Sequence, residues 1–132
     1  MKKIVVPIAV LTAVALIMIF SLRTEQDGGL SLAMLQAEAA ESGKALVVQF
    51  SSDGCITCRK MKPALEKVES EGADRYSVKV VDVDVNSGIA IELGITAVPV
   101  QLFISGEGEI IKRHLGYLSY KDFTDIFSEH SI

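Results

Sequence analysis

Tryptophan is absent from this sequence of 132 residues, which also has only two histidines and two cysteines. Aromatic residues make up 6% of the chain and hydrophobic residues 49%, so we expect a core built mainly from aliphatic side chains. A structural zinc site needs about four cysteine, histidine or carboxylate ligands. Neither His114 nor His130 lies near the cysteines in sequence. We therefore expect no metal site, and we expect His114 to be a solvated surface residue.

The length of the chain predicts one domain, and we find no internal repeat or low-complexity segment. The chain has 13 basic and 17 acidic residues. Lys2, Lys3 and Arg23 stand apart near the N-terminus, which leaves ten basic residues against 17 acidic ones beyond residue 23, a formal charge of −7. A surface of this sign repels phosphate groups, so nucleic acid is not an expected partner.

An apolar run of 19 residues, from Ile4 to Leu22, follows two lysines at the N-terminus. At about 1.5 Å per helical residue this run reaches the roughly 30 Å of a hydrocarbon core, and it predicts one transmembrane helix. The alternative is a cleaved signal peptide, whose apolar region is usually about 7–15 residues long and ends at a small-x-small site. Since Ser21-Leu22-Arg23 is a poor cleavage site, we favour an uncleaved anchor over residues 1–23.

Residues 24–29 are polar, end in two glycines and predict a flexible tether between the anchor and a domain over residues 30–132. Lysines beside a membrane span stay on the cytoplasmic side, so Lys2 and Lys3 direct the domain out of the cytoplasm. Disulfides form and persist there. We expect a single-pass protein of the bacterial cytoplasmic membrane with its domain on the periplasmic side.

Both cysteines lie in one C-x-x-C motif, Cys55-Ile56-Thr57-Cys58. The apolar run 45–50 before the motif predicts a buried strand, and the apolar residues after it have helical spacing. A thiol in the first turn of a helix faces unpaired backbone N–H groups and the positive end of the helix dipole, which lowers the pKa of the thiol. Cys55 is therefore the predicted nucleophile.

Cys58 lies three residues further along the same helical face. From there its thiol can attack a mixed disulfide formed by Cys55 and close a Cys55–Cys58 disulfide, which makes Cys58 the predicted resolving thiol. A C-x-x-C motif alone also fits half of a zinc site or a Cu(I) site with two thiolates. The strand before the motif and the helix after it favour redox chemistry, and a tethered Cu(I)-binding module is the alternative.

The rest of the chain alternates between helix and strand patterns, bounded by capping residues, glycines and turns. This alternation predicts an α/β fold. The predicted elements are a helix from Ser31 to Gly43, a strand near a sheet edge at 78–85, a short helix at 89–93, a β-hairpin with strands 100–104 and 109–115, and a last helix after the capping box of Ser119 and Asp122.

The segment from Leu30 to Phe127 resembles the thioredoxin family. The resemblance rests on the order and spacing of several sequence features. They are the strand before Cys55, the C-x-x-C motif, Pro63 in the next helix, Val98-Pro99 before a second apolar strand, and Gly116 after the hairpin. It implies a central mixed sheet flanked by helices, with the family's first strand missing or vestigial. It also implies that the Val98–Pro99 bond is cis and that Val98 and Pro99 bind an extended substrate segment.

Three positions depart from the pattern of the family. Gly54 stands where many members have tryptophan, and Ile56-Thr57 stands where many have Gly-Pro between the cysteines. Gln49 stands where many have a buried acid that assists the second cysteine. Because an amide does not accept a proton at neutral pH, we expect water or Thr57 to take the proton of Cys58.

The resemblance implies a thiol:disulfide oxidoreductase without a cofactor, which acts on protein disulfides or dithiols. We expect it to reduce protein disulfides and to receive electrons from a membrane electron-conducting partner of the disulfide-interchange type. Cytochrome maturation is an expected subclass. Asp53 opposes a thiolate at Cys55, so we expect a potential nearer about −270 mV than about −120 mV. A disulfide donor or isomerase and a redox-inactive scaffold are the further alternatives.

Overall fold

The computed structural model of the chain describes residues 10, 13–15 and 29–132. Helices and strands alternate through the segment 29–132. In chain order they are α1 (Leu32–Ser42), β1 (Ala45–Ser51), α2 (Ile56–Glu71), β2 (Tyr76–Asp82), α3 (Ser87–Glu92), β3 (Val100–Ile104), β4 (Ile110–Leu115) and α4 (Tyr120–Glu129).

The four strands form one mixed sheet in the order β2-β1-β3-β4. Strands β1 and β2 are parallel, because α2 crosses over between them, whereas β3 is antiparallel to both β1 and β4. Helices α2 and α4 pack on one face of the sheet, and α1 and α3 pack on the other. The predicted mixed sheet flanked by helices is thus confirmed.

Strand β1 is buried on both faces of the sheet from Ala45 to Phe50. A strand that is covered by helices on both faces has a nearly continuous apolar sequence rather than an alternating one. The sequence of β1 fits this pattern. Val47 faces α2 and α4, and its neighbours Leu46 and Val48 face α1 and α3. The two halves of the core therefore meet at β1.

Aromatic rings are concentrated on one side of the sheet, whereas the other half of the core is aliphatic apart from Phe50, so the expectation of a mainly aliphatic core holds for one half. Phe103 of β3 lies 5.9 Å from Phe123 and 6.0 Å from Phe127, measured between ring centroids. Tyr76 stacks on Phe127 at 4.0 Å. Most of the buried rings gather under α4, where each buries a large apolar area.

Helix α1 begins and ends where the sequence predicts. The Ser31 hydroxyl accepts the N–H of Met34 at 3.4 Å, and Gly43 closes the helix with φ at +65°. Between residues 29 and 31 no strand precedes α1. Strand β2 consequently forms one edge of the sheet, as its partly alternating pattern predicted.

The predicted strand 78–85 is wrong at both ends. Strand β2 begins at Tyr76 and ends at Asp82. The backbone N–H of Asp84 donates to the Asp82 carboxylate at 2.8 Å and turns the chain, and Val85 is 81% exposed. A local side-chain hydrogen bond therefore stops the strand despite the β-prone residues that follow.

The predicted transmembrane helix over 4–22 lies outside the described residues except at 10 and 13–15, which are helical. The tether is likewise outside them up to residue 28. None of the helices that the structure describes is long and apolar enough to cross a membrane.

Helix α4 begins with the predicted capping box. The Ser119 hydroxyl accepts the N–H of Asp122 at 3.3 Å, while the Asp122 carboxylate accepts the Ser119 hydroxyl at 2.6 Å and the Ser119 N–H at 2.7 Å. These two hydrogen bonds to the carboxylate hold the pKa of Asp122 below its ordinary value of 3.8. The bond from the Ser119 hydroxyl has the larger effect, and the bond from the Ser119 N–H has the smaller one.

We expect the substitution Ser119→Ala to raise the pKa of Asp122 toward its ordinary value, because the stronger of the two donors is lost. A lowered carboxyl pKa stabilises the fold above the ordinary pKa, and this contribution disappears as the pH falls through the lowered value. NMR titration of the Asp122 carboxyl in the two proteins measures the change. An unchanged titration midpoint would contradict the assignment of the hydroxyl as the main cause, and Ser128→Ala near the other end of α4 is the control.

Candidate active site

A tight turn joins the end of β1 to the start of α2. The Cys55 N–H donates to the Ser52 carbonyl at 3.2 Å. Gly54 has φ at +83°, in the left-handed region where side chains with a Cβ are strained. The turn therefore explains the glycine at the position before the first cysteine.

Cys55 is the N-cap residue of α2. Its Sγ atom accepts the backbone N–H of Cys58 at 3.2 Å, in the position where a serine or aspartate oxygen usually caps a helix. Its carbonyl accepts the N–H of Arg59 at 3.2 Å. In the reduced protein, the free N–H groups of this turn favour a negative charge on the Cys55 sulfur.

Cys55 and Cys58 form a disulfide, with an S–S distance of 2.12 Å and 5.3 Å between their Cα atoms. Cys55 is half-buried, whereas Cys58 is only 4% exposed. An incoming molecule therefore reaches the sulfur of Cys55 more easily. The two predicted roles, nucleophile and resolving thiol, are compatible with this difference in access.

Three loops meet at the end of the sheet that carries Cys55. Val100, the first residue of β3, pairs with Phe50 of β1 and with Leu115 of β4. Just beyond these three paired residues lie the turn after β1, Pro99 before β3 and Gly116 after β4. The Gly116 N–H donates to the Pro99 carbonyl at 2.9 Å. The sheet register thus brings the C-x-x-C motif and Val98-Pro99 to the same edge.

The Val98–Pro99 peptide bond is cis. Pro99 is buried and Val98 is half-buried. The role of both residues in substrate binding stays a prediction.

Arg113 of β4 holds the loop that approaches Pro99. Its guanidinium donates to the carbonyl of Leu93 at 2.6 Å and to that of Gly94 at 3.3 Å. These carbonyls follow the last turn of α3 and lack helical partners, so a cation on them also complements the helix dipole. No sequence pattern singles out Arg113, because its partners belong to another element.

A cleft of about 380 Å³ lies beside Cys58 on the α2 face of the sheet. Gln49 and Ser51 of β1, together with Val78 and Val80 of the edge strand β2, form its floor. Arg59, Lys62, Glu66 and Glu69 of α2 line its rim, and Leu65 is buried between. The basic residues are exposed, as expected for a solvated face. Thr57 is exposed and does not line the cleft.

His114 is half-buried rather than fully solvated as expected. It pairs across β3 and β4 with Gln101, which is completely buried. Among the residues that the structure describes, no group of three or more histidine, cysteine or acidic side chains is placed to hold a metal ion.

Comparison with known proteins identifies the class of this fold and site. The thioredoxin-like domain family matches residues 32–131, and the chain belongs to that family. The X-ray structure of Fasciola hepatica thioredoxin superposes on 76% of the chain and 94% of its own length, with a TM-score of 0.64 and 29% identity.

Two curated relatives illustrate the range of the similarity. The chloroplastic thioredoxin-like protein HCF164 of Oryza sativa subsp. japonica is 32% identical over 89% of this chain, but the chain spans only 48% of that protein's length. Thioredoxin of Bacillus subtilis is 25% identical over 72% of this chain and 91% of its own length. Thioredoxin homologues are thiol-disulfide oxidoreductases, and this domain carries their C-x-x-C cysteine pair.

Proposed function

We propose that this protein is a thiol:disulfide oxidoreductase that reduces disulfides in other proteins. The observation that carries the proposal is the placement of Cys55 at the N-cap of α2, where its sulfur accepts the Cys58 N–H and lies within disulfide distance of Cys58. A helix N-terminus activates the first thiol by lowering its pKa, and the second thiol is close enough to attack the mixed disulfide.

In the reducing direction, the Cys55 thiolate attacks one sulfur of the substrate disulfide. A bond forms between that sulfur and Cys55, and the substrate S–S bond breaks; the released sulfur leaves as a thiolate and takes a proton from water. Cys58 then attacks Cys55, closes the intramolecular disulfide and releases the second substrate sulfur. Two electrons pass from the protein to the substrate, so an external dithiol must reduce Cys55–Cys58 again.

An apolar rim around the site supports a protein substrate. Ile56, in the first turn of α2, is 61% exposed, and Leu115 and Tyr117, on either side of Gly116, are 62% and 52% exposed. Exposed apolar side chains at one edge of a domain are suited to contact an extended peptide segment. We propose that such a segment lies beside Val98 and Pro99 while its disulfide faces Cys55.

We propose that the protein is anchored in the bacterial cytoplasmic membrane by residues 4–22, with the domain on the periplasmic side. The support is the length of the apolar run and the two lysines before it. A domain outside the cytoplasm needs a source of electrons in the membrane, which we propose is a disulfide-interchange protein. The C-x-x-C-H haem sites of apocytochromes are the proposed substrate subclass.

We expect Cys55→Ser to abolish disulfide reduction, because no nucleophile remains at the accessible position. Cys58→Ser should instead accumulate mixed disulfides through Cys55, since the resolving attack is lost. Mass spectrometry after incubation of each reduced variant with a disulfide-bonded protein measures the adducts. Adducts through Cys58 in the Cys55→Ser protein, with none in the Cys58→Ser protein, would reverse the roles. Ser52→Ala, in the same turn, is the control variant.

The direction of electron flow depends on the reduction potential. The N–H groups of α2 stabilise the thiolate form of Cys55. However, no histidine stands between the cysteines, and the negative charge of Asp53 repels the thiolate. We therefore expect a value nearer the about −270 mV of reducing thioredoxins than the about −120 mV of a strong disulfide donor. Equilibration of the full chain with glutathione buffers and counting of free thiols measures it. A value at the oxidising end would make the protein a disulfide donor or isomerase.

The anchor predicts that protein isolated from bacterial membranes keeps residues 1–23. Sequencing its N-terminus tests this, and protease added to intact spheroplasts should degrade the domain if it lies outside the cytoplasm. A mature chain that begins near Thr24 would identify a cleaved signal peptide instead. A domain that is protected in spheroplasts and degraded only after lysis would contradict the proposed location.

A further inference from the structure

The outer edge of β2 carries free backbone groups. Among residues 29–132, β2 pairs with β1 alone. The Arg75 carbonyl accepts a backbone N–H of β1 at 2.9 Å, and the Val83 N–H donates to a carbonyl of β1 at 2.8 Å. Because a strand bonds a parallel neighbour through every second residue, the odd-numbered residues of β2 face β1. The N–H and C=O groups of Val78 and Val80 therefore point away from β1, where an added strand would pair with them.

Apolar side chains accompany these free backbone groups. Val80 is 59% exposed and Val78 is half-buried, and both lie in the floor of the cleft beside α2, next to Leu65. On the opposite face of the strand, the Lys79 ammonium pairs with the Glu38 carboxylate of α1. A lysine on an edge strand usually opposes pairing with other chains, but here its charge is already neutralised. The edge of β2 therefore presents an apolar and unguarded surface.

The charges along the rim of this cleft are separated by sign. The basic residues, Arg59 and Lys62, stand at the end nearer the C-x-x-C motif, and the acidic residues, Glu66 and Glu69, stand at the other end. Within residues 29–132, neither Arg59 nor Glu69 lies in an ion pair. Lys62 and Glu66 form one exposed pair at 3.7 Å. A molecule that complements the rim therefore carries the opposite order of charges along its length.

We propose that two copies of this chain pair through β2, in antiparallel orientation, around a two-fold axis at Lys79. In this register Val78 of each copy exchanges two backbone hydrogen bonds with Val80 of the other copy, so all four backbone groups of the two valines find partners. The valine side chains of both copies meet on the α2 face of the sheet, where the two clefts join. Such an interface is isologous, because both copies contribute the same surface.

The axis at Lys79 lies level with the middle of the charged rim. The Tyr76 N–H donates to the Gly72 carbonyl at 2.7 Å, so the end of α2 and the start of β2 lie together. Helix α2 runs antiparallel to β2 from there, because it connects two parallel strands. Ala64, at the middle of the rim, is about 12 Å along the helix from Gly72. Lys79 is about 10 Å along the strand from Tyr76, so the two positions lie at about the same height.

The same axis supplies the order of charges that the rim requires. It reverses α2 of the second copy on the same face of the joined sheet, so the acidic end of one rim lies beside the basic end of the other. Arg59 then faces Glu69 of the second copy, and Lys62 faces Glu66 of the second copy. A second copy has this complementary order by symmetry, and we therefore propose it as the occupant of the edge.

Pairing through β2 does not depend on the redox reaction. It covers the cleft that Cys58 lines, but Cys55 does not line this cleft and keeps its sulfur accessible. Each copy therefore retains its own pair of cysteines for the proposed reduction of substrate disulfides. Association of two copies and disulfide reduction are measured separately, and the loss of one leaves the evidence for the other intact.

Photocrosslinking of the full chain in the cells that express it tests the pairing. With p-benzoylphenylalanine in place of Val80, we expect light to join two copies of the chain. The crosslinked residues should lie in Tyr76–Asp82 of the second copy, because that strand runs beside Val80 across the axis. The same probe in place of Ile91, which is 79% exposed on α3, is the control and should not join two copies. Mass spectrometry of the crosslinked peptides identifies the residues.

Charge reversal tests the register without the probe. We expect Arg59→Glu and Glu69→Arg each to weaken association about tenfold, since each turns two attractive pairs into two repulsive ones. An equimolar mixture of the two variants should restore the wild-type affinity, because the mixed pair has opposite charges at both contacts. Lys60→Glu makes the same change on the same helix outside the cleft and should leave the affinity unchanged. Sedimentation equilibrium of the full chain in detergent measures each dissociation constant.

A wild-type chain that stays monomeric in detergent would overturn the proposal. Crosslinks from the probe on β2 only to residues 1–28 of the same chain, or only to a different protein, would do so as well. Equal weakening by Arg59→Glu and Lys60→Glu, or a mixture that associates no better than the single variants, would also overturn it. If Arg59→Glu fails to fold, Lys62→Glu and Glu66→Lys form a second pair of reversals, with the same restoration expected on mixing.

Discussion

The site depends on the burial of β1 between two layers of helices. Six of the seven residues of this strand, Ala45 to Phe50, are buried, and β1 pairs with β2 on one side and β3 on the other. Burial on both faces fixes its register, because a slip by one residue would exchange its two sets of side chains. The end of β1, and with it the turn that carries Cys55, is therefore held at a defined place.

The chemistry of the site follows from that position. Helix α2 starts directly after the turn, so its unpaired N–H groups face the sulfur of Cys55. The same register places Pro99 and Gly116 at this edge of the sheet, because β3 and β4 are aligned to β1 through Val100. Backbone groups provide most of the electrostatics here, whereas the nearby charged side chains are exposed and screened.

Two amides occupy buried polar positions on the α2 face of the sheet. A buried acid would have to be kept neutral or paired in this position, at a cost in desolvation. Gln49 avoids a buried charge beside Cys58, and Gln101 adds a second amide across the strand pair. The cleft that Cys58 lines therefore has a polar but uncharged side chain, Gln49, in its floor.

Features that depend on neighbours in sequence were predictable. The caps at Ser31 and Ser119 each involve a residue three positions away, and the strand before Cys55 is a continuous apolar run. The end of β2 was predicted wrongly, although its cause is local, because strand propensity and the Asp82 turn compete there and the turn prevails.

The sequence by itself determined the α/β alternation, the C-x-x-C motif at a helix start and the capping of α1 and α4, since each depends on spacing within a few residues. Only the tertiary structure decided that Gln49 lies opposite Gln101, that Arg113 holds the loop before Pro99, and that most of the buried aromatic rings gather under α4. The physical reason is that these contacts join residues of different elements. Their partners are set by strand register and helix packing, which arise from the burial of the whole core rather than from any local pattern.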